Sequence, residues 1–124
     1  MTLILIVEDN EKNLKLVRDV LRVKGYATIE ATTAEDGIAL ASAHKPDLIL
    51  MDIQLPGMNG IDALRVLRAD SATAGIAAIA VTASVMQQDR NLITDAGFDG
   101  YVGKPINLKA FLDAVRTTLE RRKP

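Results

Sequence analysis

The chain has 124 residues, of which 48% are hydrophobic and 25% charged, and its formal net charge is −1. That length suits one domain with one core rather than two, the composition excludes a disordered chain, and the charge gives no reason to expect nucleic acid or a membrane surface as partner. Cysteine is absent, which excludes disulfides, thiol catalysis and thiolate metal sites.

Leu3–Val7 is a continuous apolar run and predicts a first strand buried on both faces. It is preceded by neither the basic start nor the cleavage site of a signal peptide. No apolar run approaches the ~20 residues needed to cross a bilayer, so a soluble cytoplasmic protein is expected. Leu14, Val17 and Leu21 share one face of a first helix, and Gly25 stands where that helix should stop. Tyr26–Ala31 fits a second strand. Thr33 with Asp36 resembles a capping box opening a second helix, which Pro46 ends. Asp47–Met51, Ala77–Thr82 and Gly100–Gly103 predict the remaining strands. A polar helix carrying Gln87, Gln88, Asp89 and Arg90 precedes the last strand, and its bland reading is a solvated face. Asn107 is a suitable cap for the last helix, which lines up Leu108, Phe111, Leu112, Val115 and Leu119.

Strand and helix thus alternate five times, which predicts an α/β fold with a parallel sheet, right-handed crossovers and helices on both faces. Five such units suit the flavodoxin-like strand order 2-1-3-4-5. In that order the first and third strands are neighbours, so Glu8, Asp9 and Asp52 converge at their carboxyl ends. Two unit charges 4 Å apart repel by roughly 1 kcal/mol in water and about 4 kcal/mol at an effective dielectric near 20. Such a site needs a cation, and an all-oxygen ligand set favours Mg²⁺. Asp52, held at a strand end after Leu48-Ile49-Leu50-Met51, can act as a nucleophile and form an aspartyl phosphate. Thr82 ends the fourth strand and can offer a hydroxyl to a phosphoryl oxygen. Lys104 follows the fifth strand and can offer a positive charge. The Gln54 backbone can give the metal a carbonyl. Taken singly, a strand-end Asp is a cap, an acidic pair a solvated turn, a strand-end Thr structural and a Lys surface. All of them fall at carboxyl ends of strands one, three, four and five, and that shared placement favours the chemical reading.

The pieces Ile4-Leu5-Ile6-Val7-Glu8-Asp9-Asn10, Asp47-Leu48-Ile49-Leu50-Met51-Asp52, Pro56-Gly57-Met58-Asn59-Gly60, Val81-Thr82-Ala83 and Lys104-Pro105 occur in this order and spacing. On them the chain resembles, over essentially its whole length, the receiver domain of two-component response regulators. The stretches Val7–Glu11, Lys45–Pro56 and Lys104-Pro105-Ile106 look closest to the DivK group of stand-alone receivers, which control division and cell asymmetry in bacteria. The resemblance implies that Asp52 accepts a phosphoryl group from the phosphohistidine of a histidine kinase or histidine phosphotransfer protein. It implies that Asp9 and Asp52 bind Mg²⁺ directly, Glu8 mainly through water, and that Thr82 and Lys104 contact the phosphoryl group. Tyr101 matches the family's switch aromatic, whose ring moves inward as Thr82 shifts; its plain alternative is a core aromatic. The Lys104-Pro105 bond is expected to be cis, an isomer that X-Pro bonds tolerate at ~1 kcal/mol. Gly103 stands where the family often carries a larger residue. Gln54 and Ser84, two residues past Asp52 and Thr82, are where the family tunes the lifetime of the phosphorylated form.

The expected output is a downstream protein bound on the face of helix 4, strand 5 and helix 5. Residues 1–124 are read as a single receiver domain with no output domain, and the basic end Arg121-Arg122-Lys123 as a complement to the helix dipole. The protein is expected not to be an enzyme beyond its own phosphorylation and dephosphorylation. A phosphatase of the haloacid-dehalogenase type shares the Asp, Thr, Lys and Mg²⁺, but needs a second Asp where Gln54 stands. A flavodoxin needs a phosphate loop where Glu8-Asp9 would repel phosphate. Gly103-Lys104 lacks the upstream glycine of a Walker loop, and His44 is read as a surface residue. A receiver belonging to a hybrid histidine kinase remains open.

Overall fold

The computed structural model describes residues 1–83 and 87–121, with backbone only at 87–89. Ser84, the basic residues past Arg121 and the side chains of Gln87, Gln88 and Asp89 lie outside the described residues. In chain order the elements are β1 (Leu3–Val7), α1 (Glu11–Val23), β2 (Ala27–Ala31), α2 (Ala34–His44), β3 (Leu48–Asp52), α3 (Gly60–Ala69), β4 (Ala77–Thr82), α4 (Gln87–Ala96), β5 (Gly100–Gly103) and α5 (Leu108–Arg121). The strands form one five-stranded sheet in the order β2-β1-β3-β4-β5, every neighbouring pair parallel. The α/β flavodoxin-like arrangement read from the alternating pattern is therefore the one observed.

Strand alternation divides the core. Leu5, Val7, Ile49, Met51, Ala78 and Ala80 pack with Ala41 of α2, Leu64 and Leu67 of α3, and Ile93 of α4. Their neighbours Ile4, Ile6, Leu48, Leu50 and Ile79 pack on the other face with Leu14, Val17 and Leu21 of α1 and Phe111 and Val115 of α5. Each fully buried Leu, Ile, Val or Phe contributes roughly 1.5–3 kcal/mol from surface removed from water. Helix starts are fixed by side-chain caps. Asn10, Thr33, Asn59 and Asn107 accept the backbone N–H groups of Asn13, Asp36, Asp62 and Ala110.

Three strand boundaries and one helix position differ from the sequence reading. β2 starts at Ala27, because the Tyr26 N–H is taken by the Leu21 carbonyl at the end of α1. β3 runs from Leu48 and includes Asp52, which pairs with Val81 on β4; Asp47 instead caps β1, its carboxylate accepting the Leu3 N–H at 2.8 Å. Leu108 does not join the buried stripe of α5: it opens the helix and is 43% exposed, while Thr118 is buried in that stripe.

A second framework lies at the opposite end of the sheet from the acidic residues. Arg68, near the end of α3, donates to the carbonyls of Ala74 (3.0 Å), Ile76 (2.5 Å) and Gly97 (3.0 Å). It also reaches Asp99 at 3.5 Å, and the same Asp99 oxygen accepts the Ala78 N–H at 2.8 Å. One guanidinium thus ties the end of α3, the entry to β4 and the turn between α4 and β5. Gly97 takes a φ of +105°, which favours glycine there.

Candidate functional site

The register of β1 against β3 places Val7 beside Met51, so the residues that follow meet at one crevice. The Glu8 N–H bonds the Ala31 carbonyl at 3.0 Å, which extends the β1–β2 pairing and turns Glu8 inward. Glu8 and Asp52 are buried, at 4% and 3% exposure, and Asp9 is exposed. Carboxylate oxygens of Glu8, Asp9 and Asp52 lie within 4.8 Å of one another. The three acidic residues singled out from the sequence therefore do come together.

Lys104 reaches into the same crevice. Its Nζ is 3.0 Å from Asp52 Oδ2 and 3.0 Å from Glu8 Oε1. Its own N–H donates to the Thr82 carbonyl at 2.9 Å, and the peptide bond to Pro105 is cis. The other Asp52 oxygen, Oδ1, accepts the Gln54 N–H at 2.9 Å. The other Glu8 oxygen accepts the Asn10 N–H at 3.2 Å. Thr82 is buried at the end of β4, opposite Gly103 on β5. Tyr101 sits on the same edge strand with its side chain 41% exposed, so it is not a core aromatic here. His44 is exposed at the end of α2.

The electrostatics assign different states to the two buried carboxyls. Burial pushes Glu8 up to about 7, and its hydrogen bond with Asp52 adds to this, while Lys104 and the Asn10 amide offset only part. Burial alone would raise Asp52 as well, but the hydrogen bond from Glu8, the Gln54 amide and Lys104 outweigh it and hold Asp52 below its ordinary value. Burial likewise disfavours the charged Lys104, and the bonds to Asp52 and Glu8 overcome it, raising its pKa. Two carboxyls and one ammonium share the pocket, and Glu8 holds a proton more tightly than Asp52 does.

Two features of this site went unassigned in the sequence reading. The direct Glu8–Lys104 bond is a contact between residues far apart in the chain. Gly60 is the other: a Cβ there would overlap the Asp52 carbonyl oxygen and stand 2.9 Å from Met51 Cγ. Its N–H bonds the Ile53 carbonyl at 3.0 Å, so α3 starts hard against the chain that carries Asp52. The Asn59-Gly60 step gave a signal for this, since Asn caps the helix and glycine permits the close approach.

Comparisons with known proteins agree with this geometry. A family model described as response regulator receiver domain matches residues 4–116. The polar-differentiation response regulator DivK of Brucella anthropi is 41% identical over 116 residues, covering 94% of this chain and 94% of that protein. A CheY-like receiver domain protein from Methanospirillum hungatei superposes with a TM-score of 0.91 at 30% identity, covering 98% of this chain and 96% of that one. The receiver domain of the sensor histidine kinase PA1611 from Pseudomonas aeruginosa, solved with a magnesium ion in its active site cleft, gives 0.88 at 30% identity over 96% of this chain and 98% of that one. Sheet order, the convergence at the ends of β1 and β3, and sequence likeness along nearly the full length lead to one conclusion: this chain belongs to the response regulator receiver domain family.

Proposed function

We propose that Asp52 accepts a phosphoryl group from the phosphohistidine of a histidine kinase or histidine phosphotransfer protein. A carboxylate oxygen of Asp52 bonds to phosphorus as the phosphorus–nitrogen bond breaks, and the imidazole is released. The observation that carries this reading is the state of Asp52. It is buried and held ionised, with one oxygen fixed by the Gln54 amide and the other by Lys104. The donor set is all oxygen and its carboxylates are crowded within 4.8 Å, which fits a hard divalent cation. Asp9, Asp52 and the Gln54 carbonyl would hold Mg²⁺, with Glu8 acting through water. Bound there, the ion supplies charge neutralisation for the incoming phosphoryl group. Lys104 and the Thr82 hydroxyl contact the same group, and Tyr101 follows Thr82 as the switch.

The protein is then a regulator whose only chemistry is on itself. Its product is a conformation read by a partner protein on the α4–β5–α5 face, with no nucleic acid or membrane involved. Likeness to DivK over 94% of both chains supports a single-domain cytoplasmic regulator of cell division or polarity without an output domain. Likeness to the PA1611 receiver favours, as a second reading, the receiver of a hybrid kinase. The decisive experiment is incubation with Mg²⁺ and acetyl phosphate followed by intact mass measurement. A phosphate adduct is expected, absent in Asp52→Asn. An adduct that survives the substitution, or none with any donor, contradicts the proposal.

A further inference from the structure

Arg90, in the first turn of α4, carries a buried Nε that has no hydrogen-bond partner, which among the described residues marks it out. Its guanidinium carbon lies 5.3 Å from the centroid of the Tyr101 ring. That is within the range of a cation–π contact, and arginine over tyrosine is a favourable form of it. Tyr101 belongs to the edge strand β5 and remains partly exposed, so the ring is held outward with the guanidinium laid over it.

The contact balances opposing terms. A desolvated N–H with no acceptor is unfavourable, and the ring face is what compensates it. If the ring leaves, Arg90 regains water on Nε, so neither arrangement is strongly favoured. The frame around the pair makes it movable at one end. The far end of α4 is pinned: Ile93 and Ala96 are buried, the Phe98 N–H bonds the Ile93 carbonyl, and Arg68 holds the Gly97 carbonyl at 3.0 Å. A displacement of α4 is therefore taken up at the Arg90 end.

We propose that Arg90 is a latch that holds Tyr101 outward in the resting protein and releases it when the site at Asp52 is loaded. The role of Tyr101 as a switch belongs to the reading above, on which this rests. The latch residue, its contact with the ring and the pivot at Arg68 go beyond that reading. Arg90 is a positioning residue: it touches the ring and no reacting atom.

The chain has only two tyrosines, Tyr26 and Tyr101, and no tryptophan. The full chain labelled with 3-fluorotyrosine therefore gives two ¹⁹F signals, assigned through Tyr26→Phe. The signals are compared at rest and with Mg²⁺ and beryllofluoride, which mimics an aspartyl phosphate. Arg90→Met keeps the length of the side chain and removes the cation; Arg90→Lys keeps the cation.

In the wild type the Tyr101 signal is expected to move on loading and the Tyr26 signal to stay. In Arg90→Met the resting Tyr101 signal should already lie toward the loaded position, with the loaded positions coinciding. This corresponds to roughly a two- to thirty-fold gain of the inward population for the loss of one cation–π contact. Arg90→Lys should restore most of the wild-type displacement. If resting and loaded signals shift together in Arg90→Met, the cation acts only on the chemical shift and the latch is overturned, while the switch stands. The same holds if Arg90→Met leaves the resting signal where it was. If the wild-type Tyr101 signal does not move on loading, the switch reading fails and the latch with it.

Discussion

Gly60, the first residue of α3, stands so close to Asp52 that a Cβ at Gly60 would overlap the Asp52 carbonyl oxygen. The obstacle is backbone rather than the tip of a flexible side chain, so an added methyl must displace the start of α3 or the end of β3. Overpacking of this kind costs about 1–3 kcal/mol. Gly60→Ala should therefore lower the melting temperature by roughly 4–10 °C and weaken Mg²⁺ binding through the displaced Asp52. A variant that melts with the wild type would show that this approach is not constrained.

Lys104 compensates both buried carboxyls, at 3.0 Å from each. Replacing it by methionine leaves Glu8 and Asp52 facing one another with no ammonium between them. The metal-free variant should lose about 3–5 kcal/mol at neutral pH, in keeping with a buried pair left without its cation. Millimolar Mg²⁺ should return much of that loss, because a bound cation stabilises the folded state by mass action. Urea unfolding with and without the metal measures both parts; a loss that Mg²⁺ leaves untouched would contradict the charge argument.

Glu8 gives the metal-free protein an unusual response to pH. Its carboxyl is raised from 4.5 to about 7 in the fold, so the folded state holds this proton more tightly than the unfolded chain does. The stability linked to it is complete below the unfolded value and is lost as pH rises through about 7. Asp52 is lowered, so its contribution is lost only as pH falls below its ordinary 3.8 and leaves the neutral window alone. The urea midpoint of the metal-free protein should thus fall between about pH 5 and about pH 8, and Glu8→Gln should flatten that slope. A midpoint that rises over the same interval in the wild type but not in the variant would reverse the assignment of the proton.

Arg68 makes a prediction away from the crevice. Arg68→Met removes donors to the carbonyls of Ala74, Ile76 and Gly97 and the charge facing Asp99. A loss of about 1–3 kcal/mol is expected, since several partly buried acceptors lose their donor together. Hydrogen exchange should quicken at Ala78 and around Gly97 to Asp99, with the Asp52 crevice protected as before. Uniform quickening over the whole sheet would mean that the knot supports global stability and not this corner.

What could be read from the chain follows from how local each cause is. β1 and β4 were placed residue for residue, because continuous apolar runs mark strands covered on both faces. The Thr33 and Asn107 caps act within one helical turn, and the structure has both. β2 was placed one residue early because the Tyr26 N–H is claimed by Leu21, an interaction between elements that periodicity does not carry. Asp52 was set just past β3, yet it pairs with Val81 inside the strand, because a charged residue reads as a boundary until its neighbours are known. Leu108 fits the apolar stripe of α5 by spacing, but it lies in the exposed opening of the helix, ahead of the first buried residue, Phe111. The acidic convergence was legible because strand order alone brings β1 and β3 together. The Glu8–Lys104 bond, the Arg68 knot and the turn of Arg90 onto Tyr101 were not, since each depends on how side chains of different elements turn toward one another, which periodicity does not carry.

Lys104 is held by its amide to the last carbonyl of β4 and by its ammonium to Glu8 and to the carboxylate at the end of β3. The consequence is mechanical. Whatever draws the ammonium away from Asp52 pulls on a residue already fastened to the tip of the next strand. The end of β3 and the tip of β4 are thereby coupled through a single residue, in addition to the pairing of the strands themselves.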